Sequence, residues 1–329
     1  MINYSKNESL NYQKHLEYWS NYFNQSHIET PDKEINDTYI KGEYFFACNS
    51  RKKYPMTLHG VWTANNDRLP MWKADLHQDI NVQMSYDTYY KLNHFKEGKV
   101  IIDFYKRLLP QFRNNAKEFL GSEGIWIPGV MSQNGVPLGG WPQYAMNPAC
   151  SIWVLKIFEN YYEYCDNSES FLNEMFFFFE ETEKCIRSIL VKDDDGCYSL
   201  PFHSSPEYFE NDKKSIFTSS TNFELTMLRY LYERLCCYGK MLGVNTTSYK
   251  EILDNLSNFE SVINLFNTIG STVSDAVSLA STYLKSDSAD SVNYEYNSET
   301  YSLLISLEED VFTFDFKFNK DVNIPSCGN

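Results

Sequence analysis

The sequence predicts an all-α fold built from paired helices, followed by a short strand-like tail. Apolar residues recur at positions 150, 153, 154, 157, 158, 161 and 165, the spacing of a helix with one face in a core. Helix starts are indicated by Thr30-Pro31-Asp32 and by a capping box from Thr221 to Glu224. Up to Gly270 no alternating strand pattern separates the helices, so long loops should gather at one end of the array.

The elements follow in chain order from these local signals. Residues 1–29 are polar and aromatic and predict a linker helix. Thr30 is expected at the N-cap of the next helix, and Pro110 either kinks a later helix or starts a new one. Residues 271–329 are low in complexity and then alternate, which predicts short strands or an irregular tail. The other predicted helices are 30–49, one near Asp79, 98–120, 147–165, 168–191, 221–238 and 249–268.

Composition excludes several classes of partner. The formal charge is −15, and the chain has no basic run, which argues against nucleic acid and against a polybasic membrane surface. No window of 18 apolar residues predicts a membrane span, and no signal peptide is visible, so localisation stays open. The 8 cysteines are scattered without zinc spacing, which favours buried thiols over disulfides and predicts no metal or cofactor.

The most informative stretch is residues 58–86, LHGVWTANNDRLPMWKADLHQDINVQMSY. It interleaves Trp and His residues with Asp, Asn and Gln, and it gives neither clean alternation nor a dry helical stripe. One interpretation is a segment that lines a pocket and hydrogen-bonds a ligand. The other is a buried loop whose polar side chains satisfy backbone groups. With aromatic residues at 16% of the chain, ring faces that could stack on sugars are plentiful.

An ordered set of motifs resembles the catalytic domain of glycoside hydrolase family 95, the α-L-fucosidases and their relatives. LHGVW and WKADLHQDINVQMSY are similar to that family's PxxLQGxW and YTxNINxxMNYW segments, at a similar separation. ETPDKEINDTYIKGEYFFACNSR resembles its first barrel helix, GGWPQYAMNP a Trp/Gly-rich loop, and SSPEYF its SPE segment. The set covers about residues 15–265 in the correct order. Each motif is weak alone, and the order makes the resemblance specific.

The resemblance implies a fold and a chemistry. The family fold is an (α/α)6 barrel, a six-hairpin toroid, of which residues 30–270 would form a part. The implied reaction is inverting hydrolysis of a glycosidic bond in plant or host glycans, with a Glu as general acid and a water on the opposite face of the sugar. By position, Glu207 matches the acid, and its Pro and aromatic neighbours could desolvate it. The alternative is a surface Glu in a loop, like Glu210.

The water-binding pair departs from the family pattern. Asn81 matches the second Asn of the family's NxN pair, but Asp79 replaces the first. An Asn can only orient a water, whereas an ionised Asp can also accept its proton. Asp79 is therefore a candidate base, a ligand for a different sugar hydroxyl, or only the cap of the following helix. The change puts fucose specificity in doubt.

Further residues near these motifs are candidates for sugar binding. His77, Lys73 and Asp75 flank the pair and could hold hydroxyls, while Glu224 is explained by its capping box. The predicted substrate-binding residues are Trp62, Trp72, His77, Trp141 and His59, three of them as stacking platforms.

Full members of the family have twelve barrel helices, but only seven or eight are predicted here, and the later His-rich segment and water-activating Asp find no match. The chain therefore resembles a fragment or a decayed copy. The alternative to an active hydrolase is a catalytically inactive carbohydrate-binding remnant. A helical scaffold that binds proteins is disfavoured because no period of 30–45 residues repeats.

Overall fold

The computed structural model describes residues 8–60, 72, 75–139, 145–192, 196–206, 212, 215–217, 219–259, 292–297 and 302–307. It divides the chain into two compact units, Met1–Phe259 and Glu260–Asn329. The boundaries of the predicted linker helix, barrel and tail stay predictions. The helices are α1 (Glu8–Phe23), α2 (Lys33–Asn49), α3 (Asn81–Tyr86), α4 (Phe95–Leu120), α5 (Ala149–Tyr164), α6 (Glu169–Ile189), α7 (Asn222–Met241) and α8 (Thr247–Asp254).

The described strands are short and form three separate antiparallel pairs. In the first unit, β1 (Leu76–His77) pairs with β2 (Val130–Met131), and β3 (Val191–Lys192) with β4 (Tyr198–Ser199). In the second unit, β5 (Val292–Asn297) pairs with β6 (Ser302–Leu307) in full register. Of the alternating segment predicted at residues 301–319, the described part is β6, and residues 308–319 lie outside the described residues.

Helix α5 lies at the centre of the first unit. It packs against α3, α4, α6 and α7, and its apolar stripe is buried as the periodicity predicts. Phe158 is fully buried and stacks on Phe178 of α6, with ring centroids 4.5 Å apart. Stacked aromatic rings between two helices bury a large apolar area and so help to hold α5 and α6 together.

A buried carboxylate joins α5 to α7. Glu159 is 0% exposed and accepts hydrogen bonds from Tyr230 (2.8 Å) and Tyr238 (2.7 Å) of α7. Lys156 donates from the preceding turn at 2.6 Å, and Arg234 lies 3.2 Å away. Burial alone would raise the pKa of Glu159, but hydrogen bonds from Lys156 and Tyr238 hold it below its usual value.

A second buried cluster fixes α1 to α2 and α4. Tyr22 of α1 donates to the backbone oxygen of Glu43 at 3.0 Å, and its ring stacks on His94 at 3.8 Å. His94 Nε2 lies 2.9 Å from the Glu43 carboxylate, and both side chains are almost fully buried. The helix in residues 1–29 therefore packs into the core of the first unit through its second half.

Two local predictions differ from the structure, and the alternative left open at Pro110 is decided. Asp32, and not Thr30, caps α2: its carboxylate accepts from Glu34 N and Ile35 N, while Thr30 bonds Asn36 and braces the turn before it. Pro110 does not start a new helix, because it lies inside α4, which runs from Phe95 to Leu120. The last predicted helix ends earlier, at Asp254 in α8, and the part of that prediction from residue 260 onward lies outside the described residues.

Candidate active site

The β1–β2 pair places the stretch around residues 75–79 against a second loop. Leu76 pairs with Met131 and His77 with Val130, and the amide of Gln78 donates to Gly129 O at 2.6 Å. The segment around Leu58 also contacts this stretch, because Leu58 N donates to Asp75 O at 3.1 Å. Residues far apart in sequence thus surround one short piece of extended chain.

A row of buried ionisable side chains follows this piece of chain. His77 Nε2 lies 2.8 Å from Asp75 Oδ1, and His77 Nδ1 lies 3.9 Å from Asp79 Oδ1. Asp75, His77 and Asp79 are 9%, 8% and 2% exposed. The imidazole ring therefore lies between two carboxylates, with one ring nitrogen facing each of them.

Trp72 and His59 adjoin this row. The Trp72 ring meets the His77 ring edge to face, with centroids 5.7 Å apart, and 41% of the residue is exposed. Its φ of 65° is left-handed, which is uncommon for a bulky residue and concentrates at functional sites. His59 is half-buried in the segment that contacts Asp75. An exposed indole beside a buried polar row is a suitable platform for a sugar ring.

Several buried polar atoms here have unused hydrogen-bonding capacity. Among the described residues, no hydrogen-bond partner is found for His59 Nδ1, Asp75 Oδ1, His77 Nε2 or Gln83 Oε1. Asp75 Oδ1 and His77 Nε2 are close, but their contact does not have the geometry of a hydrogen bond. Such groups are costly to bury unless something pairs with them. A ligand with several hydroxyl groups has the matching donors and acceptors.

The two members of the predicted water-binding pair differ in burial. Asp79 is buried, whereas Asn81 is exposed on the first turn of α3. The N-cap of α3 is Ile80, and no side chain hydrogen-bonds there, so Asp79 is not the helix cap.

A second polar group lies near the first turn of α5. The buried Glu224 carboxylate accepts from Ser204 N (2.7 Å) and from Thr221 N (3.1 Å), completing the predicted capping box. Asn147 Nδ2 donates to Ser204 Oγ at 2.7 Å, and His203 Nδ1 lies 3.3 Å from Glu224. Four residues from three segments thus fix the chain at Ser204.

One thiol lies within the influence of both polar groups. Burial raises the pKa of Cys150, and the negative charges of Asp79 and Glu224 raise it further. Cys150 is in the first turn of α5, so both carboxylates face the same end of the central helix. The hydrogen bonds at Ser204 could not be predicted from sequence, because Asn147 gave only a helix-start signal.

The comparisons with known proteins decide the family. The glycosyl hydrolase family 95 catalytic domain matches residues 3–266. The chain belongs to glycosyl hydrolase family 95. A solved structure named as a kojibiose phosphorylase from the human microbiome is similar over 88% of this chain and 38% of its own, with a TM-score of 0.58 and 15% identity. This chain therefore spans well under half of that protein, and a comparison with curated proteins found no match.

The helical unit of this family 95 chain is a partial (α/α)6 barrel, as the motifs implied. Of the predicted site residues, the structure brings together His77, Asp79, Trp72 and the neighbouring His59 segment. Asn81 lies on the next helix with its side chain exposed. The remaining ones, Glu207, Trp62 and Trp141, and also Lys73, lie outside the described residues.

Two further findings concern ions and membranes. Within the described ranges, no three His, Cys, Asp or Glu side chains are grouped so that they could hold a metal ion. In the same part of the chain, no helix is both long and apolar enough to cross a bilayer.

Proposed function

We propose that this family 95 chain carries the sugar-binding and acid–base groups of an inverting glycoside hydrolase that resembles α-L-fucosidases. Its substrate is an oligosaccharide or glycan. Glu207 donates a proton to the leaving oxygen, and Asp79 and Asn81 hold the attacking water. The observation that carries the proposal is the buried row of Asp75, His77 and Asp79 beside the exposed ring of Trp72.

The row supports sugar binding because its chemistry suits hydroxyl groups. His77 Nε2 and Asp75 Oδ1 are buried with no hydrogen-bond partner among the described residues, so together they can donate to and accept from neighbouring hydroxyls. The Trp72 ring supplies an apolar face at the same place. His59, Trp62 and Trp141 are proposed to complete the binding surface.

Asp79 supports hydrolysis because it is buried and close to an imidazole. At 2% exposure its carboxylate is held away from bulk water, and His77 Nδ1 lies 3.9 Å from its Oδ1. An ionised carboxylate at this place can accept the proton of the attacking water, which the Asn in the family's motif cannot do. Asp79 is therefore proposed as the base in this chain.

The first experiment measures reducing-sugar release from a panel of aryl glycosides that includes an α-L-fucoside. The wild type is expected to hydrolyse at least one of them, with inversion visible by NMR of the anomeric proton. Glu207→Gln should lower kcat by about 10²–10⁴-fold, the usual contribution of a general acid. Glu210→Gln, three residues further along the sequence, is the control and should keep wild-type kcat.

Asp79→Asn distinguishes two roles of Asp79, as the base or only as a residue that orients the water, because it restores the Asn of the family motif. If Asp79 is the base, kcat falls by about 10²–10⁴-fold. If the variant keeps or gains activity, Asp79 only orients the water. A wild type that binds glycans on an array but hydrolyses none contradicts the enzyme proposal and supports the carbohydrate-binding remnant.

A further inference from the structure

We infer that Gln78 is a positioning residue for the Asp79 carboxylate, a role that rests on the proposed function of Asp79. Gln78 is 0% exposed and lies between His77 and Asp79 in the chain. A glutamine is uncommon in a fully buried position unless its amide is fully hydrogen-bonded. Here the amide is surrounded by backbone oxygens of the two segments that meet at β1 and β2.

The Gln78 side chain has one orientation that satisfies its surroundings. With the amide nitrogen turned toward the backbone, its two N–H groups are within hydrogen-bond distance of three carbonyl oxygens, Leu76 O (2.9 Å), Gly129 O (3.1 Å) and Pro128 O (3.2 Å). The amide oxygen then faces the Tyr105 hydroxyl of α4, 3.5 Å away. One side chain therefore bridges its own strand, the 128–129 segment and the central helical layer.

The backbone of the same residue is held as firmly. Gln78 N donates to Gly129 O at 2.6 Å, and Gln78 O accepts from Gln83 Nε2 of α3 at 2.7 Å. Both backbone groups and the whole amide are thus engaged, and the next residue is Asp79. These bonds fix the backbone directly before Asp79. Catalytic groups must be held in a defined geometry to act at full rate, so the loss of these bonds should displace the Asp79 carboxylate and lower kcat.

Gln78→Glu is the sharpest test because it keeps the shape and reverses the hydrogen-bonding character. A carboxylate cannot donate to three carbonyl oxygens, so the segment should shift and kcat should fall by about 10–100-fold, the loss expected from a misplacement of about 1 Å. KM should change less than threefold, because Trp72 and His77 stay. As pH falls, a protonated carboxyl can again donate one hydrogen bond, so the ratio of variant to wild-type kcat should rise between about pH 8 and pH 5.

The titratable side chains near Gln78 lie on its own segment and on α4. Asp75, His77 and Asp79 share its segment, Tyr105 faces it from α4, and residues 128–131 have no titratable side chain. The control is Asn115→Asp. Asn115 is also buried, and its amide donates to a loop carbonyl, Gly135 O, at 2.8 Å. It should lose stability like the Gln78 variant but keep kcat per folded molecule.

Two sets of results distinguish a wrong role for Gln78 from a wrong proposed function. If the wild type is active and Gln78→Glu keeps its kcat, or loses it without the pH-dependent recovery, Gln78 does not position Asp79. If the wild type is inactive, amide hydrogen exchange decides. Faster exchange at residues 76–84 in Gln78→Glu than in Asn115→Asp supports the inference, and equal exchange overturns it.

Discussion

Replacing Glu159 by Gln tests how strongly one buried carboxylate joins α5 to α7. The substitution keeps the shape of the side chain and removes its charge and one acceptor oxygen. In the wild type the carboxylate accepts hydrogen bonds from the hydroxyls of Tyr230 (2.8 Å) and Tyr238 (2.7 Å). It also pairs with the cations of Lys156 and Arg234. An amide can accept from only one of the two hydroxyls at full strength.

The expected cost follows from these partners. One buried tyrosine hydroxyl left without an acceptor costs about 1–3 kcal/mol. The ion pairs add less, about 0–1 kcal/mol each, because the Lys156 and Arg234 side chains are 44% and 32% exposed. The free energy of unfolding should therefore fall by about 2–4 kcal/mol, which lowers Tm by about 5–15 °C in a domain of this size.

The pH dependence of this difference has a defined sign. The folded-state pKa of Glu159 is lowered, so ionisation stabilises the fold above the unfolded pKa of about 4.3 and this stabilisation is lost as pH falls through the folded value. The gap between wild type and Glu159→Gln should be constant between about pH 8 and pH 5. Below about pH 4 it should shrink, since the wild-type carboxyl also becomes neutral.

Urea unfolding monitored by circular dichroism measures both quantities. Glu163→Gln is the matched control, because Glu163 lies one turn along the same helix with an exposed side chain. That variant should change the free energy of unfolding by less than about 0.5 kcal/mol. Equal effects of the two substitutions, or a gap for Glu159→Gln that widens in acid, would refute the reasoning.

Three further substitutions test other parts of the structure. Burial raises the pKa of Glu183, so its charge costs stability as pH rises past about 5, and Glu183→Gln should destabilise less than the Glu159 change in urea unfolding at pH 8. Tyr22→Leu removes the bond to a backbone oxygen and the stack on His94, so it should cost about 2 kcal/mol and speed hydrogen exchange in α1. Glu224→Gln should lower the free energy of unfolding by about 1–3 kcal/mol, and Tm with it, because one backbone amide loses its acceptor.

Signals within a few residues of one another were sufficient to predict most of the helical layout. The stripe on α5 and the capping box at Thr221 depend only on local spacing, and both occur as predicted. Where two nearby residues could each cap a helix, the predicted cap was wrong. Asp32 caps α2, and Thr30 bonds Asn36 instead. Pro110 gave a second ambiguous signal, because a proline can start a helix or interrupt one, and the structure places it inside α4.

Contacts between distant segments could not be predicted in this way, and they build the candidate site. Several polar groups of residues 75–83 bond to distant residues, and a local period cannot report such contacts. The backbone oxygen of Asp75 accepts from Leu58 N, and Gln78 N donates to Gly129 O. The buried amide of Gln78 lies among backbone oxygens of both β1 and the 128–129 segment, and nothing in the local sequence indicated this. The family motifs pointed to this stretch of chain, whereas the bonds within it required the fold.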